Sequence, residues 1–246
     1  MVQQGNGLGN SIQLASPPQT PSAKFRTLSR DWLEESSRHH YSYNFTWLGR
    51  PIIQYPQDLL AMQEIIWTVR PQLIIETGIA HGGSLIFSAS MLQLIGGTGR
   101  VLGIDIDIRP HNRQAIEAHP LAHRIDMLQG SSIDDDMIKQ VRKQAQGRGP
   151  ILVVLDSNHT HEHVLRELEL YSPLVTVGSY LVVYDTAVED LAPDLFQNRP
   201  WGVGNNPKTA VKAFLQSNQR FAIDHELEIR LMVSAAPSGY LRCIRD

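Results

Sequence analysis

Leu73-Ile74-Ile75-Glu76-Thr77-Gly78-Ile79-Ala80-His81-Gly82-Gly83-Ser84 opens as an apolar run and closes as the start of a helix. The short apolar run, ended by glycines, reads as a strand buried on both faces. From Ser84 to Ile95 the chain is apolar nearly all round, which predicts a helix sandwiched between layers. The same alternation continues downstream. Val101-Leu102-Gly103-Ile104-Asp105 is a second strand, and a short helix follows Pro110. Asp126-Met127-Leu128 is a weaker strand ahead of a helix over Asp135–Ala145. Ile151-Leu152-Val153-Val154-Leu155 is a fourth strand, ending in Asp156, with a helix over His161–Tyr171. Tyr180-Leu181-Val182-Val183-Tyr184 is a fifth, ending in Asp185, and Asn206-Pro207 opens a helix that runs to Leu215. Two strand-like runs, Phe221 to Ile229 and Tyr240 to Ile244, close the chain with no clear helix between them. Strands alternating with helices mean an α/β fold. The expected sheet is mostly parallel and seven-stranded, with an antiparallel C-terminal edge pair and helices on both faces. Ligands in such sheets bind beyond the carboxyl ends of the strands, at the switch in strand order.

Upstream, Pro56, Asp58 and then Leu59, Met62, Ile66 and Val69 mark an amphipathic helix that Pro71 ends. Residues 24–55 form an arm, helical from Phe25 to about His40, that is free to pack on the domain or on a second subunit. Residues 1–23 are rich in Gln, Gly, Asn, Ser and Pro and read as a disordered tail. The domain proper is expected over 56–246.

The chain has 246 residues, 42% of them hydrophobic, enough for a sizeable core. Its 22 basic and 25 acidic residues give a net charge of −3, which argues against a nucleic-acid binder. One cysteine, Cys243, excludes an internal disulfide framework and a Cys-rich zinc site, so a reducing, cytoplasmic setting is the expectation. The longest apolar run is too short to span a membrane, and the first 23 residues contain no Lys or Arg and no apolar core of a signal peptide.

The chemistry should lie at the strand ends. The Gly78–Ser84 loop permits a tight turn and close backbone approach to a ligand, and the helix start offers free N–H groups to an anion. Tight-turn geometry alone also accounts for these glycines, and Ser84 is either a ligand hydroxyl or a helix cap. Asp105, one strand further on, stands where doubly wound folds place a carboxylate for ribose hydroxyls; a solvated loop acid is the plainer alternative. Ser132, after the third strand, is open to adenine contact or to capping the Asp-rich helix start. A phosphate-binding P-loop fails because Ser84 stands where Lys is needed. The dehydrogenase fingerprint is only approximated by Gly78-x-Ala80-x-x-Gly83, and no Tyr-x-x-x-Lys pair occurs. Asp156 and Asp185 should emerge at one edge of the sheet, and two converging carboxylates repel unless a cation separates them or one is protonated. Oxygen ligands suit Mg²⁺. His159, three residues past Asp156, is placed as a general base. The run His159-Thr160-His161-Glu162-His163 nearly matches a zinc-hydrolase pattern but lacks one residue of its spacing. His161 and His163 read more simply as exposed or capping histidines.

These residues resemble the cephalosporin hydroxylase family, from about Phe45 to the C-terminus. The resemblance rests on Ile75–Ser84, Gly103-Ile104-Asp105, Leu155-Asp156-Ser157-Asn158-His159, Leu181–Thr186, Arg199-Pro200-Trp201-Gly202 and Asn205–Val211. Despite the name, its members are Rossmann-like, S-adenosylmethionine-dependent methyltransferases close to macrolide-sugar and rhamnosyl O-methyltransferases. The resemblance implies that Glu76, Gly78, Ala80 and Ser84 line the methionine end of the cofactor, near Asp156. Asp105 would hold the ribose and Ser132 approach the adenine. It further implies a Mg²⁺ on Asp156 and Asp185. The family's Glu before the second acid is replaced by Tyr184. Thr186 stands at the position of an Asn ligand in catechol-type enzymes, and Glu189 and Asp190 are alternatives for the third ligand. Trp201, Asn205, Asn206 and Lys208 either shape an acceptor pocket or simply pack their loop. The implied activity is O-methylation of a hydroxyl on a sugar, glycolipid or natural-product acceptor, and the arm adds the expectation of a homo-oligomer. Two rivals stay open: a nicotinamide-dependent oxidoreductase and a non-catalytic binding member, the latter kept alive by the missing Glu.

Overall fold

The computed structural model describes residues 14, 16 and 18–246. Most of the tail expected over 1–23 lies outside the described residues. Helix α1 (Ala23–Arg38) begins two residues before the apolar pattern does, because the Ser22 hydroxyl caps it by accepting from the Phe25 N–H at 3.1 Å. The rest of the arm is not helical beyond one 3₁₀ turn. It forms a hairpin, β1 (Phe45–Trp47) and β2 (Arg50–Ile52), whose two three-residue strands are too short to show a period in the sequence.

The chain then runs through α2 (Pro56–Val69), β3 (Leu73–Thr77), α3 (Gly83–Ile95), β4 (Arg100–Asp105), α4 (Pro110–Glu117), β5 (Ile125–Gln129) and α5 (Asp135–Ala145). Next come β6 (Ile151–Leu155), α6 (His161–Tyr171), β7 (Tyr180–Val183), α7 (Pro207–Ser217), β8 (Phe221–Ile223), α8 (His225–Leu231) and β9 (Tyr240–Cys243). The main sheet has the order β5-β4-β3-β6-β7-β9-β8, with β3 to β7 parallel and β9 antiparallel to both its neighbours. The expected seven-stranded, mostly parallel sheet is therefore present. Its C-terminal part differs in detail: the run Phe221–Ile229 is not one strand. Asp224 accepts from the Leu227 N–H at 3.0 Å and starts α8, so the strand stops at Ile223.

Strand side chains alternate between two cores. Ile74, Val101, Leu152, Val154 and Val182 pack under α2 and α3. Ile75, Leu102, Val153, Leu155 and Leu181 pack under α5, α6 and α7. α3 is sandwiched as expected, with the sheet on one side and α2 and the hairpin on the other. The chain leaves β3 for β4 and β5 on one side and returns for β6 on the other. The switch point thus lies between β3 and β6, where the Gly78 loop and Asp156 meet.

The arm is fastened to this point. A Cβ on Gly83 would overlap the backbone carbonyl of Pro51 in β2. Arg50 donates to the His81 carbonyl through Nε (3.0 Å) and Nη2 (2.6 Å), and through Nη2 to Asn112 Oδ1 (2.9 Å). Among the described residues no helix is long and apolar enough to cross a membrane. Substituting Gly83→Ala should push β2 off the glycine loop and lower stability by about 1–3 kcal/mol, the usual scale of overpacking. Thermal denaturation of the variant checks this; an unchanged melting temperature would contradict the close β2–α3 contact.

Candidate active site at the carboxyl edge of the sheet

Register fixes where the acids emerge. Thr77 lies beside Leu155, and Leu155 beside Val183, so Asp156 and Tyr184-Asp185 leave the sheet side by side. A Cβ on Gly78 would overlap the Asp156 carbonyl, so only glycine lets the loop cross here. Ala80 and Asp185 both hold left-handed backbone, with φ of 46° and 56°. Such strain on non-glycine residues costs of the order of 1–3 kcal/mol and clusters at functional sites.

The structure brings Asp156, His159 and Asp185 together, with candidate ligand atoms all within 4.8 Å of one another. His159 Nδ1 lies 2.9 Å from Asp185 Oδ2, and its Nε2 lies 3.6 Å from Asp156 Oδ1. Nε2 is buried without a hydrogen-bond partner. Burial works to lower the imidazole pKa, but the two carboxylates outweigh it and push His159 up to about 10. Burial and the Asp185 charge raise Asp156 to about 6 against the pull of His159. Burial also acts to raise Asp185, yet the adjacent imidazolium, helped by Arg199, holds it below the ordinary range. In the free protein the imidazolium is thus the cation between the acids. The edge of the Trp201 ring packs on His159 at 4.8 Å between centroids.

Glu76 is buried and accepts from the Ser84 hydroxyl; burial pushes it up to about 8. Ser84 is not the helix cap, since α3 starts at Gly83 behind Gly82. Asp105 fastens the glycine loop: Oδ2 accepts from the N–H of Ile79 (2.7 Å) and Ala80 (3.3 Å), and Oδ1 from that of Asp107 (3.0 Å). Ser132 does not cap α5, whose N-cap is Asp134. Its hydroxyl lies 3.1 Å from His163 Nε2, which also contacts Ser157 Oγ at 3.3 Å and lies 3.6 Å from the buried carboxylate of Glu167. His163 is therefore a networked residue and not an exposed one. His161 ties α6 to α7 through Thr209 Oγ1 at 2.8 Å.

Thr186 requires a correction as a ligand. It is fully buried, turned inward by the 3₁₀ turn Thr186–Asp190, and its hydroxyl donates to the Pro237 carbonyl at 2.7 Å. Glu189 accepts from Gly204 N and Asn206 Nδ2, and Asp190 pairs with Lys208 at 2.5 Å, so neither alternative joins the cluster. Asn205 and Asn206 hold their own loop, Asn206 as the N-cap of α7. Of the four loop residues, Trp201 packs against His159. Tyr184, where the resemblance implied a Glu, is buried near Tyr240, whose hydroxyl donates to the buried Asp58 at 2.7 Å.

Two residues of the site carry no motif in the sequence: Arg50, clamping the loop, and Gln54, whose Nε2 donates to Asp156 Oδ2 at 3.3 Å. Pro51–Gln54, Gly78–His81, Gly83, Ser84 and Asp156 enclose a small cavity beneath the hairpin. A larger one, about 680 Å³, lies between α1 and residues 189–191 and 228–240. It touches none of the acid cluster, so the donor groups and not the volume locate the chemistry.

The Rhamnosyl O-methyltransferase/CmcI family profile matches residues 39–244. A rhamnosyl O-methyltransferase of Mycobacterium tuberculosis (strain ATCC 25618 / H37Rv) is 30% identical over 203 residues, covering 80% of this chain and 77% of that one. One of Mycobacterium leprae (strain TN) is 33% identical over 164 residues, covering 63% and 69%. Among solved structures, CmcI with Mg and SAM superposes with a TM-score of 0.58 at 18% identity, covering 82% of this chain and 78% of that one. An O-methyltransferase from Bacillus cereus in complex with SAH gives 0.52 at 16%, covering 82% and 83%. The glycine loop, the paired acids and the match over nearly all of the chain past the arm helix place this protein in the Rhamnosyl O-methyltransferase/CmcI family.

Proposed function

We propose that the chain is an S-adenosylmethionine-dependent, Mg²⁺-using O-methyltransferase acting on a hydroxyl of a sugar-containing small molecule. The observation that carries this reading is the Asp156–His159–Asp185 cluster standing beside the glycine loop at the sheet's switch point. The names of the mycobacterial relatives support the sugar acceptor and the reaction.

The donor set fits a hard divalent cation: ligand atoms of Asp156, His159 and Asp185 lie within 4.8 Å of one another, and His159 Nε2, near Asp156, is buried without a hydrogen-bond partner. Asp156 and Asp185 would hold the ion. When bound, Mg²⁺ supplies a Lewis acid that lowers the pKa of an acceptor hydroxyl. The cofactor supplies a methyl group already activated by its sulfonium charge. The chain's own residues do the rest. The α3 N-terminus, Gly78, Ala80 and Ser84 receive the methionine end, Asp105 faces the ribose, and Ser132, held by His163, lies toward the adenine. His159, in its neutral form, would accept the proton of the acceptor hydroxyl, beside the two acids that would hold the cation. Trp201 restricts the ring's rotation and walls it from water.

The arm over 24–55 roofs the domain over 56–246, which the Arg50 clamp supports. Exposed Phe25, Leu28 and Trp32 on α1 favour a homo-oligomer, and the single buried cysteine favours the cytoplasm. The oxidoreductase reading has no catalytic Tyr–Lys pair behind it.

Replacing His159 by Ala should lower methyl transfer from S-adenosylmethionine to a rhamnoside by about 10²–10⁴-fold, with cofactor affinity nearly intact; equal turnover would refute its role as base. S-adenosylhomocysteine should raise the melting temperature and NADH should not; the reverse would restore the oxidoreductase. Glu76 binds a proton in the folded protein up to pH about 8 but in the unfolded chain only to about its ordinary 4.5. Its contribution is thus full below about 4.5 and falls between there and 8, by at most about 1.4 kcal/mol per pH unit. The stability of Glu76→Gln relative to wild type should rise across this window; parallel curves for the two proteins would contradict the buried, protonated carboxyl.

A further inference from the structure

Gln54 lies between the hairpin and α2, in the stretch that roofs the glycine loop. It is 6% exposed, and its side chain is split between two surroundings. Carboxylates only accept hydrogen bonds, so the N–H₂ end of the amide must face Asp156, as it does at 3.3 Å. The carbonyl end is thereby turned the other way. Oε1 is fully buried and has no hydrogen-bond partner. An orphaned buried carbonyl costs free energy that leucine at this position would not incur. Such a group is retained where something donates to it in the working state.

The surroundings say what that donor is. Gln54 lines the small cavity together with Gly78, Ile79, Ala80, Ser84 and Asp156. The residues that line it carry carboxylate, amide and hydroxyl groups, Asp156, Gln54 and Ser84, with Glu76 behind Ser84. A cationic group with several N–H donors matches this lining, and the ammonium of the cofactor's amino-acid end has three. We propose that Gln54 is a cofactor-binding residue whose side-chain carbonyl accepts a hydrogen bond from that ammonium while its N–H₂ holds Asp156. The inference rests on the methyltransferase reading and adds a residue to it. It also couples the two halves of the site, since one amide touches both the cofactor pocket and the first acid of the cation cluster.

The test is calorimetric titration of full-length wild type, Gln54→Leu and the shorter Gln54→Ala with two probes. S-adenosylhomocysteine carries the amino-acid end; 5′-methylthioadenosine lacks it. Losing a hydrogen bond to a charged group should weaken S-adenosylhomocysteine binding to both variants by about tenfold or more. Methylthioadenosine should bind wild type and variants alike, within about twofold. Thermal melting of each ligand-free variant confirms that it is folded before titration. Undiminished S-adenosylhomocysteine affinity in either folded variant would overturn the assignment, as would equal weakening of both probes, which marks a merely structural residue. Wild type that binds neither probe overturns the cofactor reading itself, and the role of Gln54 with it.

Discussion

Two carboxylates that converge at the ends of adjacent parallel strands repel each other unless a cation sits between them or one is protonated. That constraint organises the carboxyl edge of this protein. The β6–β7 register sets Asp156 beside Tyr184, and the left-handed turn at Asp185 swings the second acid back toward the first. In the free protein the His159 imidazolium lies between them, 2.9 Å from Asp185 and 3.6 Å from Asp156. The arrangement is an acid pair with an exchangeable positive charge, which is what a divalent-cation site with an adjacent base requires. Beneath the site, buried Tyr184 sits beside Tyr240, whose hydroxyl donates to Asp58 and ties β9 to α2.

The cofactor side is held by a different device. The glycine loop is pinned from below by Asp105, which takes up the Ile79 and Ala80 N–H groups, and from above by Arg50 on the His81 carbonyl. The absence of a side chain at Gly83 lets β2 lie directly on the start of α3. The arm is therefore part of the site and not an appendage, and Gln54 is delivered by the same strap. One strand further along the edge, Ser132, Ser157, His163 and the buried Glu167 form a polar network that fixes the loop after β5 against α6.

The parallel core was legible because each buried strand is an apolar run followed by glycine or an acid, and those acids form the candidate site. Asp156, His159 and Asp185 needed only strand ends and a spacing of three. What stayed hidden depends on contacts between distant segments. Strands of three residues, as in β1 and β2, show no period. Phe221–Ile229 looked continuous because Asp224 acts as a helix cap only once its side chain meets the Leu227 N–H. Thr186 stood at a ligand position by alignment, but the 3₁₀ turn after Asp185 rotates it onto Pro237. His163 read as an exposed cap because its partners, Ser132 and Glu167, come from β5's loop and the next turn of α6. Gln54 has no signature at all beyond its place ahead of Pro56.

If Asp156 and Asp185 together hold a divalent cation next to the cofactor pocket, calorimetric titration of metal-stripped protein with Mg²⁺, at saturating S-adenosylhomocysteine, will detect it. Wild type should give a saturable Mg²⁺ isotherm that disappears in both Asp156→Asn and Asp185→Asn, each still binding S-adenosylhomocysteine. A wild type with no Mg²⁺ isotherm, or variants that bind Mg²⁺ as wild type does, would contradict this assignment.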